Sequence, residues 1–160
     1  MVEVRVDGLA LDIASNSPVV ILKPVKAEGV LPIWIGHYEA WAIAMEMSGF
    51  TSRRPLTHDL IRHLVKELEA RITRVEVTEL KEQTFFAQIL LDTRSGRMTV
   101  DARPSDSIAI ALKAKAPIFA NEELLQPRAP EGRLSAINDP ESLRERLRRI
   151  NPEDFGNYSL

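Results

Sequence analysis

Apolar and polar residues alternate at the start of the chain, where Val4 and Val6 are set among Glu3, Arg5 and Asp7, with Leu9 and Leu11 behind them. A period of two puts one side of a strand into a core and the other into water, so this stretch predicts a strand or strand hairpin. Ser15-Asn16-Ser17-Pro18 is a turn cluster. The β-branched run Val19-Val20-Ile21-Leu22 predicts a buried strand, and Glu28-Gly29 turns the chain into another over 30–35. The period then lengthens. Residues 39–48 predict a helix stopped by Gly49. Leu60, Ile61, Leu64, Val65 and Leu68 make the apolar stripe of an amphipathic helix over 58–69, with Thr57 as its N-cap and Asp59 in its first turn.

Strand patterns return over 74–80 and 85–91, and Arg94-Ser95-Gly96 turns the chain into a strand over 98–102. Pro104-Ser105 opens a helix over 106–115 that Pro117 ends. Ile118-Phe119 is a short apolar piece, and 126–136, with two prolines and a glycine, predicts loop. Asn138-Asp139-Pro140-Glu141 starts a further helix over 142–150, and 151–160 predicts irregular chain.

The two halves share their order of elements. At an offset of 71, Val4, Val6 and Leu9 fall on Val75, Val77 and Leu80. At an offset of 67, Gly29 falls on Gly96, Glu39 on Asp106, and Ala42-Ile43-Ala44 on Ala109-Ile110-Ala111. The expected fold class is therefore α+β: two related β-rich/helix units from an internal duplication, a mainly antiparallel sheet and a C-terminal helix. The alternative is two ordinary strand–helix units that resemble one another by chance. Each unit holds a helix that is apolar almost all round, which belongs between a sheet and a second cover such as another subunit. Residues 1–125 form the expected domain, and 126–160 a loop, short helix and tail.

Composition narrows the class. An apolar share of 44% is enough for a core, and no apolar run approaches the length of a membrane span. The start lacks a signal-peptide pattern, and there is no cysteine, hence no disulfide, thiolate metal site or thiol nucleophile. A cytoplasmic protein without membrane contact is expected. Lys and Arg number 21 against 23 Asp and Glu, a formal charge of −2. Non-specific duplex clamping draws on a basic excess that is missing here, so any nucleic-acid contact must be local.

Three segments could carry chemistry. Arg53-Arg54-Pro55-Leu56-Thr57-His58-Asp59 offers guanidinium groups for phosphate, an imidazole for proton transfer and a carboxylate, at a helix start. Its structural reading is a capped helix with solvated arginines. Asp101-Ala102-Arg103-Pro104-Ser105-Asp106 puts two carboxylates around one arginine on a strand-to-helix corner. Here the structural reading is an Arg103 clamp between Asp101 and Asp106, with Ser105 as N-cap. Trp34-Ile35-Gly36-His37-Tyr38-Glu39 is the matching corner of the first half, where Gly36 suits a special backbone angle or a close approach. The sequence holds no H-E-x-x-H, Walker A loop, G-x-S-x-G or zinc-ligand spacing.

Taken in order, Leu31-Pro32-Ile33-Trp34-Ile35-Gly36 with Glu39-Ala40, Arg54-Pro55 with Thr57-His58-Asp59, Phe85-Phe86-Ala87, and Asp101-Ala102-Arg103-Pro104-Ser105-Asp106-Ser107-Ile108-Ala109 resemble the bifunctional nuclease family over residues 2–125. That resemblance implies an α+β fold, a tendency to form homodimers or higher homo-oligomers, and hydrolysis of both RNA and DNA. On that reading His58, Asp59, Asp101 and Asp106 are the candidate catalytic residues, and Arg54, Arg103 and Ser105 would bind substrate. A divalent ion (Mg2+ or Mn2+) would sit on Asp101, Asp106, Glu39 and Asp59. Acting on DNA as well as RNA rules out an obligatory 2′-hydroxyl nucleophile and favours attack by water. The competing reading is a non-catalytic homo-oligomeric module that binds a protein or ligand, with Arg103 and the carboxylates as a structural network.

Overall fold

The computed structural model describes residues 1–130 and 132–136. The helix expected over 142–150 and the tail over 151–160 lie outside the described residues. In chain order the elements are β1 (Val2–Asp12), β2 (Ser17–Pro24), β3 (Leu31–Trp34), α1 (His37–Met47), α2 (Thr57–Glu67), β4 (Arg71–Lys81), β5 (Thr84–Thr93), β6 (Gly96–Ala102), α3 (Pro104–Ala114), β7 (Ile118–Ala120) and β8 (Leu134–Ala136), with one 3-10 turn at Glu122–Leu124. The fold is α+β. Its sheet runs β3-β2-β1-β7-β4-β5-β6, and β8 pairs beside β1. Every pairing is antiparallel except that of β7 with β4.

The alternating start of the chain is one strand and not a hairpin. It stays continuous because a bulge between Val6 and Gly8 resets its facing, so that Val4 and Leu9 are both buried. β4 carries a matching bulge between Val77 and Glu79. Glu82 and Gln83, both at positive φ, close the tight β4–β5 hairpin. Gly29 and Gly96 adopt φ of +115 and +122 at the entries to β3 and β6.

The helices cover one side of the sheet: α1 packs on β2 and α3, α3 on β4 and β5, and α2 beside α3. Val20, Leu22, Val75, Val77, Ala87 and Ile89 meet Ile43, Ala44 and Ile108 to Ala111 in one core. The second cover of the two apolar helices is therefore, in large part, one another. None of the described helices is long and apolar enough to cross a membrane.

The short apolar piece Ile118-Phe119 lies in the middle of the sheet, antiparallel to β1 and parallel to β4. One expectation is corrected. The stretch expected as loop after residue 125 folds back: Gln126 bridges Val30, and Leu134–Ala136 pairs with Ala10 to Asp12. Buried Asp12 secures that return, accepting hydrogen bonds from Trp34 Nε1 (2.8 Å) and Arg133 Nε (3.0 Å). Those bonds hold its carboxyl far below the usual carboxylate range, against the opposing effect of burial.

Candidate active site

Each of the three helices begins with an acid at its third position: Glu39 in α1, Asp59 in α2 and Asp106 in α3. A carboxylate there offsets the helix dipole and can reach back to the N-cap backbone. Asp59 does so, accepting from the Leu56 N–H at 3.0 Å. Leu56 is thus the N-cap and Thr57 already helical, which corrects the expected Thr57 cap. In α3 the N-cap is Arg103, because Pro104 at the first helical position fixes φ for the helix, and Ser105 lies buried within the first turn. Gly36 has ordinary extended φ, so its value is space: a Cβ there would collide with the Glu39 carboxylate.

The acids are joined across the helices by cations. In the first line of contacts, His58 Nε2 lies 3.0 Å from Asp106 Oδ1. Arg103 Nε donates to Asp106 Oδ2 at 2.7 Å, and the same guanidinium reaches Glu39 Oε1 at 2.8 Å. Burial pushes the Asp106 carboxyl up, but hydrogen bonds from Arg103 and His58 outweigh it and leave the group below its ordinary value. Asp106, in bonding Arg103, raises the guanidinium further. The His58 side chain is 12% exposed and that of Arg103 65%. The imidazole is therefore oriented by a carboxylate that stays ionised, while the arginine on the other side of that carboxylate is open to solvent.

The second line runs through Lys113, which pairs with Glu46 (2.9 Å) and Asp59 (2.8 Å). Burial opposes its charge, yet the two carboxylates raise its pKa above the ordinary value. Asp59 is likewise lowered, burial notwithstanding, by Lys113 and the Leu56 N–H. This line floors a cleft of about 420 Å³ between the end of α1, residues 50–56 and the start of α2. Arg53, Arg54, Arg62 and Lys113 line it against Glu46 and Asp59, and His63 Nε2 accepts from Arg62 at 3.3 Å. Arg53 and Arg54 make no ion pair among the described residues. A chain with a net charge of −2 thus concentrates cations in one concavity.

Of the residues expected to converge, Glu39, His58, Arg103 and Asp106 form the first line, and Arg54 and Asp59 face the cleft. Arg103 clamps Asp106 to Glu39 and not to Asp101. Asp101 stands apart: its neighbours Val100 and Ala102 pair with the core residues Ile89 and Ala87, so Asp101 points to the opposite side of the sheet, in register with Gln88 and buried Glu76. Ser105 is too buried to meet a substrate directly. Sequence reasoning passed over Lys113, Arg62 and His63. A usable signal existed, because Glu39 and Glu46 are seven apart, as are Asp106 and Lys113, which puts each pair on one helix face.

Among the described residues no group of three or more His, Asp or Glu side chains is placed to hold a metal ion. Glu39, Asp106 and Asp59 each already face a cation, and Asp101 lies across the sheet. As arranged, the four carboxylates do not make a common donor set.

A family model described as the bifunctional nuclease domain matches residues 20–131. An uncharacterized protein of Mycobacterium tuberculosis is 39% identical over 164 residues, covering 97% of this chain and 98% of that protein. Bifunctional nuclease 1 of Arabidopsis thaliana is 29% identical over 111 residues, covering 67% of this chain and 34% of the plant protein. Bifunctional nuclease 2 of the same plant is 28% identical over 109 residues, 66% of this chain and 33% of its own length.

Proposed function

The chain belongs to the bifunctional nuclease domain family, and from that premise we propose that it hydrolyses phosphodiester bonds of both RNA and DNA, using the His58–Asp106 pair beside a cationic cleft. The observation that carries this reading is the His58–Asp106–Arg103–Glu39 line of contacts. Asp106 holds one imidazole nitrogen, fixing the ring, and leaves Nδ1 to handle the proton. Water attacks phosphorus and gives its proton to His58 as the bond to the leaving oxygen breaks, and that oxygen keeps the electron pair and takes up a proton from solvent water. Arg54, with Arg53, binds the phosphates, while exposed Arg103 stabilises charge that develops on the non-bridging oxygens. Nothing in that sequence of events uses the 2′-hydroxyl, so one site serves both polymers.

The test is cleavage of labelled single-stranded RNA and DNA by highly purified protein. His58→Ala should lose about 10²–10⁴-fold in kcat, the usual contribution of a positioned acid–base group. Asp106→Asn should also lose activity. Unchanged rates in both variants would sink the assignment and favour the non-catalytic module. A divalent ion enters the reading as a dependence to be measured and not as a step. Cleavage that disappears in EDTA and returns with Mg2+ or Mn2+ would require Arg103 to release Glu39 and Asp106. Full activity in EDTA would leave the histidine pair alone responsible.

Two further parts of the reading concern the whole chain. A homodimer or higher homo-oligomer is supported by α2 and its C-cap, which leave Leu60, Leu64 and Leu68 half or more exposed along one side. Internal duplication is supported by the mirrored strand order about β7, by the bulges of β1 and β4 at the offset of 71, and by the positive-φ glycines at the offset of 67.

A further inference from the structure

One side chain at the cleft has no role in hydrolysis as described. Phe50 lines the cleft with 60% of its surface exposed. Its backbone is fixed all the same. Gly49, at φ +69, donates to the Glu46 carbonyl at 3.2 Å, and Phe50 N–H donates to the Met45 carbonyl at 3.0 Å. This is the hydrogen-bond pair of a Schellman helix ending, in which an apolar residue at the Phe50 position usually packs back against the helix, here at Met45. Met45 is buried, yet Phe50 keeps 60% of its surface open to the cleft. The end of α1 therefore holds a large aromatic beside Arg53 and Arg54, which make no ion pair among the described residues.

We propose that Phe50 is a base-stacking platform and that the cleft takes an unpaired nucleotide, so the substrate class is single-stranded RNA or DNA. This rests on the nuclease reading above. Every base has a π-face, so stacking tolerates any sequence and ignores the sugar, while Arg53 and Arg54 take the flanking phosphates. A duplex keeps its bases stacked on one another and out of reach of a ring on the protein. The cleft volume of about 420 Å³ is of small-ligand size and suits one extruded nucleotide.

The experiment is fluorescence anisotropy with the full chain and labelled oligo-dT and oligo-rU of about ten nucleotides, a length within the usual site size, and with a blunt DNA duplex of the same length. Denaturing gels confirm that the probes stay intact. The wild type should bind both single strands with similar affinity and the duplex much more weakly. Phe50→Ala should weaken single-strand binding about tenfold or more, within the range for one stacked base, and Phe50→Tyr should restore it. The fluorescence of Phe50→Trp should be quenched by single strands and not by duplex. Suppose Phe50→Ala binds as the wild type does while Arg54→Ala does not: the stacking proposal then fails and the cationic cleft survives. Equal affinity for duplex and single strands would overturn the proposed substrate class. If the wild type binds no oligonucleotide, this proposal and the nuclease reading fall together.

Discussion

An acid at the third position of a helix needs no function beyond helix stability, which is why Glu39, Asp59 and Asp106 could each be read locally as a first-turn charge. What local reading leaves out is the partner. Arg103, His58 and Lys113 tie those acids across helices that are distant in sequence, and such pairs are decided by tertiary packing. His58, Arg103 and Asp106 were legible as candidates because they combined in short motifs. Lys113 was not, because a lysine near a helix end reads as a solvated charge until its burial is seen. A pH prediction follows at this scale. Asp59 and Asp106 titrate lower in the folded chain than when unfolded, so their stabilisation is present above the unfolded value of about 4 and is lost as pH falls through the folded values. Urea midpoints should therefore hold steady from neutrality to about pH 5 and decline on the acid side of about pH 4. Asp106→Asn should flatten that decline, and an unchanged acid limb would refute the assignment.

Element by element, periodicity located most of the strands and all of the described α-helices, because each buries a face that repeats at its own spacing. It placed the helix starts at Thr57 and Ser105, residue types favoured as caps, whereas backbone geometry set them at Leu56 and Arg103. It marks the apolar stripe of an amphipathic helix over 58–69 without saying what that stripe packs against. Ile61 does pack on the core, but Leu60, Leu64 and Leu68 do not. Leu64 is 53% exposed in the single chain, so within a monomer Leu64→Lys should change unfolding stability by no more than about 0.5 kcal/mol, the usual range for a surface site. If α2 joins two copies, the same variant should convert the protein to monomer in light scattering after gel filtration. A variant that keeps the wild-type mass would move the interface elsewhere.

For the whole molecule the least legible fact is the place of β7. Three residues are too short a run to announce a strand, and nothing local says that Ile118 to Ala120 will lie between β1 and β4. Val4 and Val75 both pair with Ile118, which is 5% exposed, so this side chain fills the join between the two halves. Ile118→Ala should destabilise the fold by about 2–5 kcal/mol in urea denaturation, the cost of a cavity in a packed core. A loss below about 1 kcal/mol would mean that the halves hold together without it. The same arrangement governs the order of events during synthesis. While a nascent chain still ends before Pro117, each three-stranded half can pair internally, yet the two face one another across an open gap. Only when the ribosome has released Ile118 to Ala120 can that gap close, so translation past this point sets the earliest moment at which the three helices gain a continuous platform.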